Sequence, residues 1–111
     1  VKQRDTHGSA VATRARVRAD LADVLAALRD PASVDAFLDD LCTPAEIEAL
    51  ADRWSVVPLL AEGMSYRQIH DVTGVSVTTV GRIARCVEGG AGGYRAALEH
   101  RRPHPASAPP A

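Results

Sequence analysis

The stretch MSYRQIHDVTGVSVTTVGRI, Met64 to Ile83, holds two short amphipathic segments separated by a glycine turn. Ser65 opens the first segment, and Gln68 stands three residues on. That is the capping-box spacing, in which a serine hydroxyl and a glutamine amide satisfy orphan N–H groups at a helix start. Ile69 and Val72 follow at i, i+3, so one side of this helix faces a core. Thr73-Gly74-Val75 breaks it, because Gly74 adopts the left-handed conformation of a tight turn without strain. Ser76 is placed to cap a second helix. In that helix Val77, Val80, Ile83, Ala84 and Val87 form a buried stripe, with Thr78, Arg82 and Arg85 on the opposite face. Two helices, a glycine turn and a polar outer face on the second predict a helix-turn-helix.

Outward from this motif the chain reads as helix after helix. Val17, Leu21, Val24, Leu25 and Leu28 recur at helical spacing and predict a helix from Thr13 to Arg29, with Arg16 and Asp20 as an i, i+4 ion pair. Asp30-Pro31 ends it and starts a second, with Asp30 as cap and proline at the first helical position. Val34, Phe37, Leu38 and Leu41 form the stripe of that second helix. Thr43, Pro44 and Glu46 then signal a third start. Its apolar face carries Ile47, Leu50, Ala51, Trp54, Pro58 and Ala61, and it stops at Gly63. Pro58 removes one backbone bond and predicts a bend near Trp54. After the motif, Gly89, Gly90, Gly92 and Gly93 predict a loose hinge before a last helix from Tyr94 to His100. The fold class is therefore all-α, with six helices. A disordered arm is expected over 1–12, one helical domain over 13–102, and a disordered Pro/Ala-rich tail over 103–111.

Composition constrains the reading. The 111 residues suffice for one modest core, and aromatics at 4 % make that core aliphatic. The net charge of −1 argues against a nucleic-acid binder only if charge is spread evenly. It is not. Residues 1–18 carry five basic side chains against Asp5, whereas residues 19–52 carry nine acidic ones against Arg29. Residues 65–102 are basic again, with six arginines against Asp71, Glu88 and Glu99. The helix-turn-helix lies in that basic end. No apolar run is long enough to span a membrane, and no signal-peptide core opens the chain. Cys42 and Cys86 lack metal-ligand spacing and are expected to be buried, reduced thiols of a cytoplasmic protein. Arginine outnumbers lysine twelve to one, a bias that fits a GC-rich bacterial genome.

Helices with apolar stripes on the first, second and last elements exceed what one small core can use. A homodimer that shares these faces is expected. It would also supply two recognition helices roughly 34 Å apart, the spacing of successive major grooves.

LCTPAEIEALADRW, followed by LLAEGMSYRQIHDVTGVSVTTVGRI, resembles the Trp repressor superfamily, closely over Leu41 to Ile83 and more loosely on either side. RCVEGGAGGY is similar to its Trp-repressor-like YerC/YecD branch. The resemblance implies an intertwined all-helical homodimer on a palindromic double-stranded DNA operator. It also implies a small-molecule corepressor held between the third helix and the recognition helix.

By position, Thr43, Arg53 and Arg82 match the residues that line the family's tryptophan pocket, the arginines flanking the indole and holding its carboxylate. Guanidinium suits both tasks, being planar and always charged. Ile83 stands where the tryptophan binder has glycine, and Asp40 and Cys42 replace apolar wall. A smaller free amino acid such as histidine, or no effector at all, is therefore expected in preference to tryptophan, with no other cofactor and no metal.

Arg67 matches a family residue that reads DNA, and arginine is the commonest partner of guanine. Ser76, Val77, Thr78 and Thr79 open the recognition helix, where side chains meet base edges. His70 and Arg85 are candidate phosphate contacts. Trp54 is expected in the core. No nucleophile–base pair or carboxylate pair at working spacing indicates an enzyme, and the GGAGG run has no preceding strand and no Lys-Ser/Thr after it. The acidic segment 19–52 keeps an alternative open, a helical interaction module that docks on transcription machinery without binding DNA.

Overall fold

A computed structural model describes residues 7–101 of the chain. These residues form six α-helices: α1 (His7–Ala27), α2 (Pro31–Leu41), α3 (Pro44–Ala61), α4 (Tyr66–Thr73), α5 (Val77–Gly89) and α6 (Gly93–His100). No strand occurs among the described residues, so the all-α reading holds. The chain falls into two compact units divided between Pro44 and Ala45, where a single domain over 13–102 was expected. The expected tail over 103–111 lies outside the described residues.

The first unit contains α1 and α2. α1 begins at His7, six residues before the expected Thr13, and ends at Ala27 rather than Arg29. Residues 7–12, assigned to the arm, are therefore helical, while residues 1–6 lie outside the described part. The early start has a local cause: Ala10 and Ala12 favour helix even where apolar periodicity is missing. Arg16 donates through Nη2 to Thr13 Oγ1 at 3.4 Å, on the side away from its expected partner Asp20. Asp30 caps α2, its carboxylate accepting the Ser33 N–H at 2.8 Å and the Ser33 hydroxyl at 3.0 Å. These two donors hold the Asp30 carboxyl below the usual aspartate range, the backbone N–H contributing most. No residue of α2 is buried, and Val11, Val17, Val24, Leu25 and Leu41 are exposed.

The second unit holds the core. Val56 and Val57 from α3, Ile69 from α4, and Val80 and Ile83 from α5 are buried together, with Ala84 beside them. Leu59, Leu60, Met64, Val75, Val87, Tyr94 and Leu98 pack around this cluster, as does Trp54, which is half-buried rather than central. Pro58 is itself buried, and α3 continues through it to Ala61. α3 ends in a Schellman closure: the Met64 N–H reaches the Leu59 carbonyl at 3.1 Å and the Gly63 N–H reaches Leu60 at 3.0 Å. Gly63 takes the positive φ of 85° that this closure needs.

The expected glycine hinge is shorter than its composition suggests. α5 runs through Gly89 and α6 starts at Gly93, so only Gly90 to Gly92 connect them. Arg95 clasps the junction, its Nε donating to the Val87 carbonyl at 2.8 Å and its Nη2 to that of Glu88 at 3.5 Å. These are carbonyls of the last turn of α5, which lack intrahelical partners. Both cysteines are free thiols, but neither is buried: Cys42 is half-buried and Cys86 exposed, because Cys86 lies off the apolar face of α5.

Candidate nucleic-acid interface

The helix-turn-helix is built from local hydrogen bonds that the sequence encodes in detail. Ser65 caps α4, accepting the Gln68 N–H at 3.1 Å, while Gln68 Oε1 accepts the Ser65 N–H at 3.1 Å. α4 ends at Gly74, whose φ of 79° is left-handed and whose N–H reaches the His70 carbonyl at 2.8 Å. Thr73 Oγ1 donates to the Ile69 carbonyl at 2.8 Å and accepts the Val75 N–H at 3.1 Å. Ser76 caps α5, accepting the Thr79 N–H at 3.2 Å and donating to Thr79 Oγ1 at 3.0 Å. Every one of these contacts spans five residues or fewer. The turn geometry is therefore a property of the stretch itself.

Burial of Ile69 on α4 and of Val80, Ile83 and Ala84 on α5 fixes which faces point outward. Arg67, His70, Ser76, Val77, Thr78, Arg82 and Arg85 are exposed, and Thr79 is half-buried. Val77 departs from the buried stripe expected of it. It is 42 % exposed at the first position of α5, where one helical turn of backbone does not yet reach the core. There it is an apolar group of the kind that contacts a thymine methyl.

His70 is engaged rather than free: its Nδ1 lies 2.9 Å from the Val75 carbonyl oxygen. Nδ1 must carry a proton to donate there, so in the neutral ring Nε2 is left as an acceptor. A phosphate contact through Nε2 thus requires the imidazolium form. Arg85 sits near Tyr66, which the sequence reading did not single out. A methyl group placed on Gly81 would lie 3.6 Å from Tyr66 Cε2 and 3.8 Å from Arg85 Nη1.

On the same unit a cavity of about 360 Å³ is lined by Ala49, Asp52 and Arg53 of α3, Val75, and Ser76, Thr79, Arg82 and Ile83 around α5. Its size falls within the range of small-molecule sites. Three of the four expected effector residues, Arg53, Arg82 and Ile83, meet there. Ile83 contributes little more than an edge, being 3 % exposed and part of the core. Thr43, Asp40 and Cys42 belong to the first unit and are not among the lining residues. Asp52 was missed, although Ala49, Asp52 and Arg53 stand at i, i+3, i+4 on one helix face, a spacing that could have revealed it.

Among the described residues no group of acidic, histidine and cysteine side chains could hold a metal ion. No described helix is long and apolar enough to cross a membrane.

A sequence model of the family described as Trp repressor protein matches residues 17–102. Over 72 residues the chain is 42 % identical to the uncharacterized protein YerC of Bacillus subtilis (strain 168), a span of 65 % of this chain and 69 % of that protein. A crystal structure of a "putative Trp repressor" from Staphylococcus aureus matches with a TM-score of 0.70 and 30 % identity, over 76 % of this chain and 84 % of the other.

Proposed function

The chain belongs to the Trp repressor family, in the branch that includes YerC, and on that premise we propose that it is a sequence-specific transcriptional repressor acting as a homodimer on a palindromic operator. The observation that carries this reading is the exposed opening of α5. Val77 and Thr78 stand outward there, and Arg67 on α4 and Arg85 on α5 are likewise exposed, while the opposite face of α5 is locked into the core. That arrangement suits base readout by the helix start and by Arg67, and phosphate contact by Arg85.

Dimerisation is supported by the first unit. Val17 is 62 % exposed and Leu41 51 %, and Val24 and Leu25 lie open beside them. Such apolar stripes on helices with no buried residue need a partner surface. Sedimentation at micromolar concentration should give a dimer, and a stable folded monomer would exclude the arrangement.

Regulation falls to a small free amino acid acting as corepressor of a biosynthetic operon, with histidine or a similar residue favoured over tryptophan. The cavity supports this with Arg53 and Arg82 as carboxylate partners and a branched Ile83 at its edge, where the tryptophan binder has glycine. Selection of bound genomic fragments, with and without each free amino acid, tests operator and effector together. Enrichment of one palindrome upstream of biosynthetic genes is the expected result. Failure to enrich any sequence, with binding instead to transcription machinery, would favour the interaction-module alternative.

A further inference from the structure

Three charged side chains line the 360 Å³ cavity: Asp52 and Arg53 from α3 and Arg82 from α5. Among the described residues none of the three is tied up in a side-chain hydrogen bond or ion pair. The carboxylate has not folded onto either guanidinium. The cavity therefore presents both signs of charge at once, beside an apolar wall of Ala49, Val75 and Ile83. The remaining side-chain oxygens that line it are those of Ser76 and Thr79, and they are bonded to one another at 3.0 Å. The Ser76 hydroxyl also accepts the Thr79 N–H. Asp52 is thus the one lining acceptor with both oxygens uncommitted.

A simple carboxylate or an inorganic anion would satisfy the guanidinium groups but bring a second negative charge beside Asp52. A ligand with an anionic and a cationic group a few bonds apart satisfies all three. We propose that Asp52 is the ammonium anchor of this cavity and restricts its ligands to zwitterions. The carboxylate goes to Arg53 and Arg82, the ammonium to Asp52, and a compact side chain to the apolar wall. This inference rests on the reading of the cavity as the effector site and adds the residue that selects among carboxylates.

Calorimetric titration of the full chain with each of the twenty common amino acids identifies the probe. The binding amino acid is then compared with its des-amino carboxylic acid, on wild type and on Asp52→Asn. Asp52 is exposed, so the isosteric change leaves folding intact. Wild type should prefer the amino acid by about tenfold or more, the size of one charge-assisted hydrogen bond. Asp52→Asn should lose that preference while still binding the des-amino acid. Equal binding of both compounds by wild type, or a preference unchanged in Asp52→Asn, overturns the role of Asp52 and leaves the effector site standing. If no amino acid binds wild type, the effector reading falls and the inference with it. Binding to a duplex, measured on the same sample, shows whether the DNA reading survives.

Discussion

His70 Nδ1 lies 2.9 Å from the Val75 carbonyl oxygen, so the histidine side chain on α4 closes the turn that leads into α5. The bond joins the last turn of one helix to the residue before the cap of the next. It ties α4 to the turn from which α5 starts. His70→Ala should destabilise the second unit by about 0.5–1.5 kcal/mol, as expected for one neutral hydrogen bond. Faster amide exchange confined to residues 74–76 is the expected signature. Unchanged exchange there would mean that the bond does not hold the turn.

Asp30 gives a pH dependence to the first unit. Its carboxyl titrates lower in the folded chain than in the unfolded one, because the charged form accepts the Ser33 N–H and hydroxyl. The stabilisation is complete above the ordinary aspartate value of about 3.9 and is lost as pH falls through the lower folded value. Nuclear magnetic resonance of residues 31–34 between about pH 5 and pH 2 should show α2 fraying at its start. Asp30→Ala should fray already at neutral pH and show no further titration.

Gly81 lies inside α5 and is buried, yet space does not require it. An added methyl group would make only ordinary contacts with Tyr66 and Arg85. Gly81→Ala should therefore raise stability by about 0.5–1 kcal/mol through the unfolded chain's lost freedom. Thermal unfolding measures it. A fall in stability would show that the space beside Tyr66 and Arg85 does not accept the methyl group.

The helix-turn-helix was legible because its determinants are local. Ser65 with Gln68, Gly74, and Ser76 with Thr79 each act within four residues, and all appear with the expected roles. The unread parts depend on distance. Nothing in local spacing says that Arg95 reaches back across the glycine connection to Val87. Nor does it say that Asp52 and Thr79, from different helices, border one cavity. Val77 follows the apolar period but opens α5, and Trp54 packs against the core while staying half-buried, so periodicity overstated their burial. The start of α1 was missed for the opposite reason, since alanine favours helix without marking a face.

Arg67 and Arg85 should separate by function. Arg67→Ala is expected to weaken the selected operator by about 1–3 kcal/mol and to relax preference at one base pair. Arg85→Ala should weaken all duplexes alike and lower the salt slope by about one. An Arg67→Ala chain with intact operator preference would assign base readout to α5 alone.

The salt dependence of duplex binding tests the central claim most directly. A dimer that places exposed arginines of two helix-turn-helix units on phosphates releases counterions on binding. With about four phosphate contacts, affinity for a random duplex should fall roughly a hundredfold between about 50 and 200 mM salt. That steep linear decline of log affinity with log salt is the predicted result. No duplex binding at low salt, or binding indifferent to salt, would contradict a DNA-binding regulator.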